Sequence, residues 1–432
     1  MTSNRSTDRA CPFRSIAAAL LFLGIGLMGL PGWAQTPSTQ SGEKPPNTAT
    51  ASSGEQETKP AATTATSDSK ASEKTADKKK KKESRGAIVA APLPISSPAI
   101  GTGVIPLVGY IFPFSKNDKV SPPSVVGGLG LITNNGTRVW ALGGELYLKQ
   151  DTWEVTAGMG RGNLNYDFYG TGNAAGNAGR KLALIQTGDL FFGEVLRRTV
   201  WKVFVGPRFW YARSTIAPDL TKSDSDHPNL SQIDLATNVK AIGFRILRDT
   251  RPNRFYPTKG TQTDFSTNFF RINSGLEIPV SPPPGFLPGH TYGFQSYRFI
   301  FDDYKSLSKN QVLATNLYVC GIGGQAPFYS QCIFGMSNEL RGYTAGRYID
   351  DRMLAGQVEY RLVLPMRLGL VGFAGVGEVG PTFGKFDYSN LLPSVGAGLR
   401  LLLAKKYHVN LRVDIAEGKD GNTWSMGVGE AF

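Results

Sequence analysis

The chain has 432 residues, a formal net charge of +13 and three cysteines. Much of the positive excess sits in one run, Lys78 to Lys82, so the basic balance supports no inference toward a nucleic-acid partner. Beyond residue 86 no apolar run is long enough for a spanning helix, which excludes a helical membrane protein.

Arg5, Arg9 and Arg14 precede an apolar run from Ile16 to Leu30, followed by Pro31-Gly32-Trp33-Ala34. A charged head, an apolar centre and a small-x-small site predict a signal peptide over 1–34, cut after Ala34. Cys11 leaves with it, and Gln35 rather than a cysteine stands directly after the cut, so this is not a lipoprotein pattern. Residues 35–86 are rich in Ser, Thr, Ala, Pro, Glu and Lys and lack aromatics. Such a segment cannot bury enough apolar area to offset ordering, and a disordered periplasmic tail is expected. Its Lys run is either a solvated linker or a contact to anionic cell-wall polymer, the inner lipid surface or a periplasmic partner.

From residue 87 the pattern becomes alternation in segments of about ten residues, with turn residues between them. Trp201, Val203, Val205, Phe209 and Tyr211 share one face, with Lys202, Gly206 and Arg208 opposite. Trp140, Leu142, Leu146 and Leu148 oppose Glu145, Tyr147 and Lys149. Val409, Leu411, Val413 and Ile415 oppose His408, Asn410, Arg412 and Asp414. One face suits lipid and the other water, which is the pattern of a transmembrane barrel strand.

Sixteen such segments are legible: 89–96, 102–113, 123–132, 137–149, 152–166, 181–195, 200–213, 234–248, 260–275, 291–304, 310–321, 352–364, 367–378, 392–404, 407–416 and 422–432. The predicted fold is all-β, a transmembrane antiparallel β-barrel of about 16 strands over 87–432, because only closure satisfies every backbone group in lipid. Short connections such as Gln150-Asp151 and Leu307-Ser308-Lys309 fall on the periplasmic side. The longer segments 167–180, 214–233, 276–290 and 322–351 fall outside.

Three stretches carry a family resemblance. Glu339-Leu340-Arg341-Gly342-Tyr343, followed by Gln357-Val358-Glu359-Tyr360-Arg361, resembles the lumen loop and next strand of the Omp85 superfamily of outer-membrane assembly and secretion barrels. Arg248-Asp249-Thr250-Arg251-Pro252-Asn253-Arg254 with Pro257 and Gly260 resembles the family's periplasmic turn after a mid-barrel strand. Asp167 to Asn173 is similar to the barrel-only branch of BamA/TamA-like surface antigens (D15). The last segment, with Trp424, Met426, Val428 and Phe432 alternating with small residues, is similar to the terminal strand that the barrel assembly machinery reads.

The resemblance implies that Arg341, Gly342 and Tyr343 anchor a loop inside the bore, where a guanidinium needs a carboxylate. The family places that acid in a Phe-x-Asp-x-Gly strand, but here Gly375 stands at its position in Phe373-Ala374-Gly375-Val376-Gly377. Glu359, on the face shared with Arg361, is the candidate acceptor. In the turn motif of Asp249, Arg251, Asn253, Pro257 and Gly260, Pro252 replaces the second acid, and its ion pair is expected to be lost. Pro257 and Gly260 suit a tight turn. Residues 35–86 are too short and polar for the family's periplasmic POTRA receptor domains, so client delivery would need a separate partner.

The first strand is expected to be short and interrupted by Pro92 and Pro94, which weakens its closure against the last. Cys320 and Cys332 leave two arrangements open, a disulfide at the base of the 322–351 loop or two free thiols. No Gly-x-Ser-x-Gly, phosphate-loop or His-Glu-x-x-His element is present, and no metal or cofactor pattern, so a non-enzymatic protein is expected. The resemblance implies protein or lipid insertion or transport at the outer membrane of a Gram-negative-type bacterium. The alternative is a passive pore or structural surface-antigen barrel.

Overall fold

A computed structural model describes residues 86–432 apart from 98–99, 119, 220–233, 278–289, 336–338 and 406. The signal peptide and nearly all of the tail lie outside the described residues. Sixteen antiparallel strands form one sheet in chain order. They are β1 (Ala87–Ser97), β2 (Gly101–Phe112), β3 (Ser124–Thr133), β4 (Arg138–Leu148), β5 (Trp153–Phe168), β6 (Leu182–Arg198), β7 (Val203–Pro218), β8 (Asp234–Asp249), β9 (Gly260–Glu277), β10 (His290–Ser308), β11 (Gln311–Gly324), β12 (Arg352–Val363), β13 (Leu368–Gly380), β14 (Leu392–Ala404), β15 (Val409–Gly418) and β16 (Gly421–Val428). No helix among the described residues is long and apolar enough to cross a membrane. The sheet curls into a nearly closed barrel, with β1 and β16 approaching each other without a hydrogen-bonded register among the described residues.

The alternation read from the sequence is what sorts the two faces. Trp140, Leu142, Phe209 and Ile415 are exposed on the outside, while Glu145, Tyr147, Arg208, Arg412 and Asp414 are buried inside. Large apolar side chains exposed all around the outer wall are the surface a bilayer covers. Trp201 is an exception to its expected strand: it sits in the β6–β7 turn at φ 53°, outside the ladder.

The inner wall differs from a uniformly hydrated one. Pairing with inward Val139, Ala141 and Glu145 places Val125 and Leu131 of β3 inside, and the registers onward bring in Ile105, Leu107 and Ile111 of β2 and Val89, Leu93 and Ile95 of β1. All of these are buried, in one apolar cluster with Phe334, Leu340, Tyr343 and Tyr348 of the segment between β11 and β12. The bore on this side is a packed core.

Three expectations about the ends of elements are corrected. β1 is eleven residues long and pairs with β2 without interruption from Ala87 opposite Ile111 to Ser97 opposite Gly101. Pro92 and Pro94 are two residues apart, so their nitrogens face the same edge. Since the ladder to β2 is intact, that edge is the seam. The strand read as 422–432 stops at Val428. Gly429, at φ 91°, turns the chain off the sheet, and Phe432 is buried with Tyr304, Ala314 and Ala431. The connection after β8 is a ten-residue segment folded into the barrel mouth, with Arg251, Phe255, Tyr256 and Pro257 buried; a tight turn would leave these side chains outside. Replacing the Phe432 ring by a methyl, as Phe432→Ala, is expected to lower unfolding free energy by about 3 kcal/mol, measured by urea unfolding of refolded protein in lipid vesicles.

Candidate functional site: an arginine held in the bore

The segment between β11 and β12 re-enters the barrel. Its base is tied by the disulfide between Cys320 and Cys332, with Cα atoms 5.9 Å apart, and by a short ladder of Cys332–Ile333 with Ile349–Asp350. The rings of Phe334, Tyr343 and Tyr348 meet edge to face at centroid distances of 5.3, 5.9 and 6.3 Å, which gives the loop its own small core. The segment between β5 and β6 caps it: helix α1 (Asn173–Ala178) lies over the loop, Arg347 donates to the Gly176 carbonyl at 3.1 Å and the Gly172 N–H donates to the Ile349 carbonyl at 2.7 Å.

At the tip Arg341 uses its whole donor fork. Nη2 lies 2.7 Å from Glu359 Oε2 and Nη1 lies 3.1 Å from Asp414 Oδ2. Nε and Nη2 both donate to Gln357 Oε1, at 3.2 and 3.1 Å. The guanidinium carbon sits 3.5 Å from the centroid of the Phe373 ring, a cation–π contact with the solvent removed. Glu359 also accepts from Arg361 at 2.6 Å. Asp414 accepts from Arg400 at 2.5 Å and lies 3.5 Å from Arg412. Arg400 in turn donates to Glu430 at 2.7 Å. The result is a buried lattice of four arginines and three carboxylates spanning β12, β14, β15 and the chain after β16.

The neighbouring residues explain how the loop reaches so deep. Gly342 has φ 104°, and a Cβ there would stand 2.6 Å from Ser394 Oγ, so no other residue turns here without displacing the wall. The Ser394 hydroxyl donates to the Arg341 carbonyl. Tyr343 donates to the Pro393 carbonyl at 2.5 Å and accepts from the Lys419 N–H at 3.1 Å. At Gly375 a Cβ would collide with Leu340. The position at which the resemblance implied an acid is occupied by loop packing, and the acids that meet Arg341 stand on β12 and β15 instead.

A model of the Omp85 superfamily domain matches residues 210–432, more than half of the chain. The chain belongs to the Omp85 superfamily. No curated protein sequence matches it. Among solved structures, BamA of Haemophilus ducreyi lacking POTRA domains 1–3 aligns at TM-score 0.50 and 13% identity, over 80% of this chain and 70% of that one. CdiB from Acinetobacter baumannii aligns at TM-score 0.47 and 11% identity, over 79% and 65%. At such identities the likeness is one of fold.

The remaining motif residues of this Omp85 barrel lie apart from Arg341. Asp249 accepts from Arg251 at 2.7 Å and from Arg254 at 2.9 Å, so Arg254 supplies a second ion pair without any acid at Pro252. Asn253 Oδ1 accepts from the N–H groups of Phe255 and Tyr256 at 2.8 and 3.1 Å. Gly260 closes the segment at φ 94°. Pro257 and Phe432 both offer main-chain oxygens to Arg361, at 3.3 and 3.1 Å, which links this turn to the Arg341 lattice. Trp424, Met426 and Val428 lie on β16 opposite Ile415, Val413 and Leu411, on the outer face. Asp414, Gln357, Phe373 and Ser394 complete the surroundings of Arg341 beyond the Glu359 that strand parity indicates. Asp414 is visible in the sequence only as an inward neighbour of Arg412.

Arg341→Ala leaves Glu359 and Asp414 facing an emptied site and is expected to cost about 3–5 kcal/mol, read as a lowered urea midpoint in vesicles. Glu339 is buried with one carboxylate oxygen lacking a hydrogen-bond partner; Glu339→Gln is therefore expected to raise stability at neutral pH by about 1 kcal/mol in the same assay.

Proposed function

We propose that this barrel inserts or transports protein, or lipid, at the outer membrane of a Gram-negative-type bacterium. The observation that carries the reading is the seam. β1 presents an edge from which Pro92 and Pro94 remove two donors, β16 stops short at Val428, and no register joins them. An edge left unpaired in a bilayer is a template for an incoming strand. The packed loop supports the same reading from the other side, because a bore filled by the Arg341 segment suits a wall that opens better than it suits a wide aqueous pore. Outer-membrane lipid is the medium, the barrel assembly machinery is the partner for the chain's own insertion, and the 35–86 segment is the proposed contact to a periplasmic protein that supplies a receptor. No enzymatic step is invoked.

The passive-barrel alternative predicts a different measurement. In liposomes the protein is expected to accelerate folding of a second, unrelated barrel protein. Pro92→Val/Pro94→Val, which returns two donors to the seam, is expected to fold normally and to lose most of that acceleration. A steady conductance with no effect on the client's folding would favour a pore and overturn this reading.

A further inference from the structure

The outer face of β5–β9 is not a uniform apolar band. A groove of about 690 Å³ is cut into it where Ala157 and Gly193, side by side on β5 and β6, leave the outer wall without bulk, and it is lined further by Val195, Pro207, Phe209 and Phe244. Gly193 opens directly onto this space: a Cβ there would touch only the Phe191 ring, at 3.8 Å.

At the short-turn end of the same face stand Arg197 on β6 and Arg248 on β8. Arg197 is paired with Val205 and Arg248 with Val203, on the strand between them. Strand spacing and rise put their Cα atoms about 12 Å apart, so two long side chains can meet one group between them. Both are exposed, as is Lys202 in the intervening turn. Arg197 lies over the Trp153 ring, 5.5 Å from its centroid, and Arg248 Nε donates to the Trp201 carbonyl at 3.4 Å.

Among the described residues these three cations have no carboxylate partner. The nearby acids are engaged elsewhere: Asp151 with Arg198 at 3.1 Å, and Asp249 with Arg251 and Arg254. Glu154 and Glu194 are buried in the bore. The fully projecting Trp201, 83% exposed, marks the height of a membrane interface, where indole rings collect.

The groove stops at Val195, Pro207 and Phe244, and the apolar face continues across Val205 and Ile246 to three unneutralised cations at interface height, an arrangement complementary to an amphiphile with an anionic head. We infer that this face holds an anionic phospholipid of the adjoining leaflet, its acyl chain in the groove and its phosphate between Arg197 and Arg248. A zwitterionic lipid brings its own ammonium to the same place and gains less. The inference depends on the barrel standing in a bilayer and is independent of whether the seam admits clients.

The test is native mass spectrometry of the detergent-extracted full chain with phosphatidylglycerol and phosphatidylethanolamine of matched acyl chains. Wild type is expected to retain one phosphatidylglycerol in preference to phosphatidylethanolamine. Arg197→Gln/Arg248→Gln is expected to weaken that retention roughly thirtyfold. Gly193→Leu, which fills the groove and leaves the charges in place, is expected to weaken it as well, and decides the matter if the double variant fails to fold. Equal retention of both lipids by wild type, or unchanged phosphatidylglycerol retention in Gly193→Leu, would show ordinary boundary lipid and overturn the inference.

Discussion

A guanidinium buried in the bore of a barrel is tolerable only where carboxylates meet it, and the arrangement around Arg341 follows from that constraint. Glu359 and Asp414 approach it from two strands, and each is itself shared with other arginines. Because every carboxylate here serves more than one cation, removing one member leaves the others with unbalanced buried charge. The loop, the last strands and the chain after β16 are therefore coupled electrostatically, even though they are far apart in sequence.

That coupling reaches the places where the barrel is least regular. Arg361 binds Glu359 on one side and the main-chain oxygens of Pro257 and Phe432 on the other. The folded-in turn after β8 and the inward bend after Val428 thus share a donor with the loop's own acceptor. The seam beside them lacks a ladder and has two prolines on one edge. Rigidity concentrated inside and irregularity concentrated at the seam are physically compatible, since charge pairing fixes the bore without contributing hydrogen bonds between β1 and β16.

Much of the fold was legible because lipid imposes a strict rule on the outer face. Sixteen alternating segments correspond to sixteen strands, with ends displaced by a few residues. The rule weakens where both faces are apolar. In β1–β3 inward Leu93, Ile105 and Leu131 resemble outward residues, so a packed inner wall looks the same in sequence as a lipid-facing one. The terminal strand differs for a related reason: Trp424, Met426, Val428 and Phe432 keep one parity, and only Glu430, a charge on that same parity, marks where Gly429 bends Phe432 away to Tyr304. In the loop, strand parity places Glu359 on the inner face with Arg361. Nothing local relates Arg341 to Asp414, seventy-three residues away, or indicates that Leu340 fills the space over Gly375.

The most direct measurement is a double-mutant cycle on Arg341→Met and Glu359→Gln, with unfolding free energies taken in lipid vesicles. The account predicts non-additive effects, with a coupling energy of about 2 kcal/mol or more between the two positions. Strictly additive effects would mean that Arg341 and Glu359 do not meet in the bore, and would contradict it.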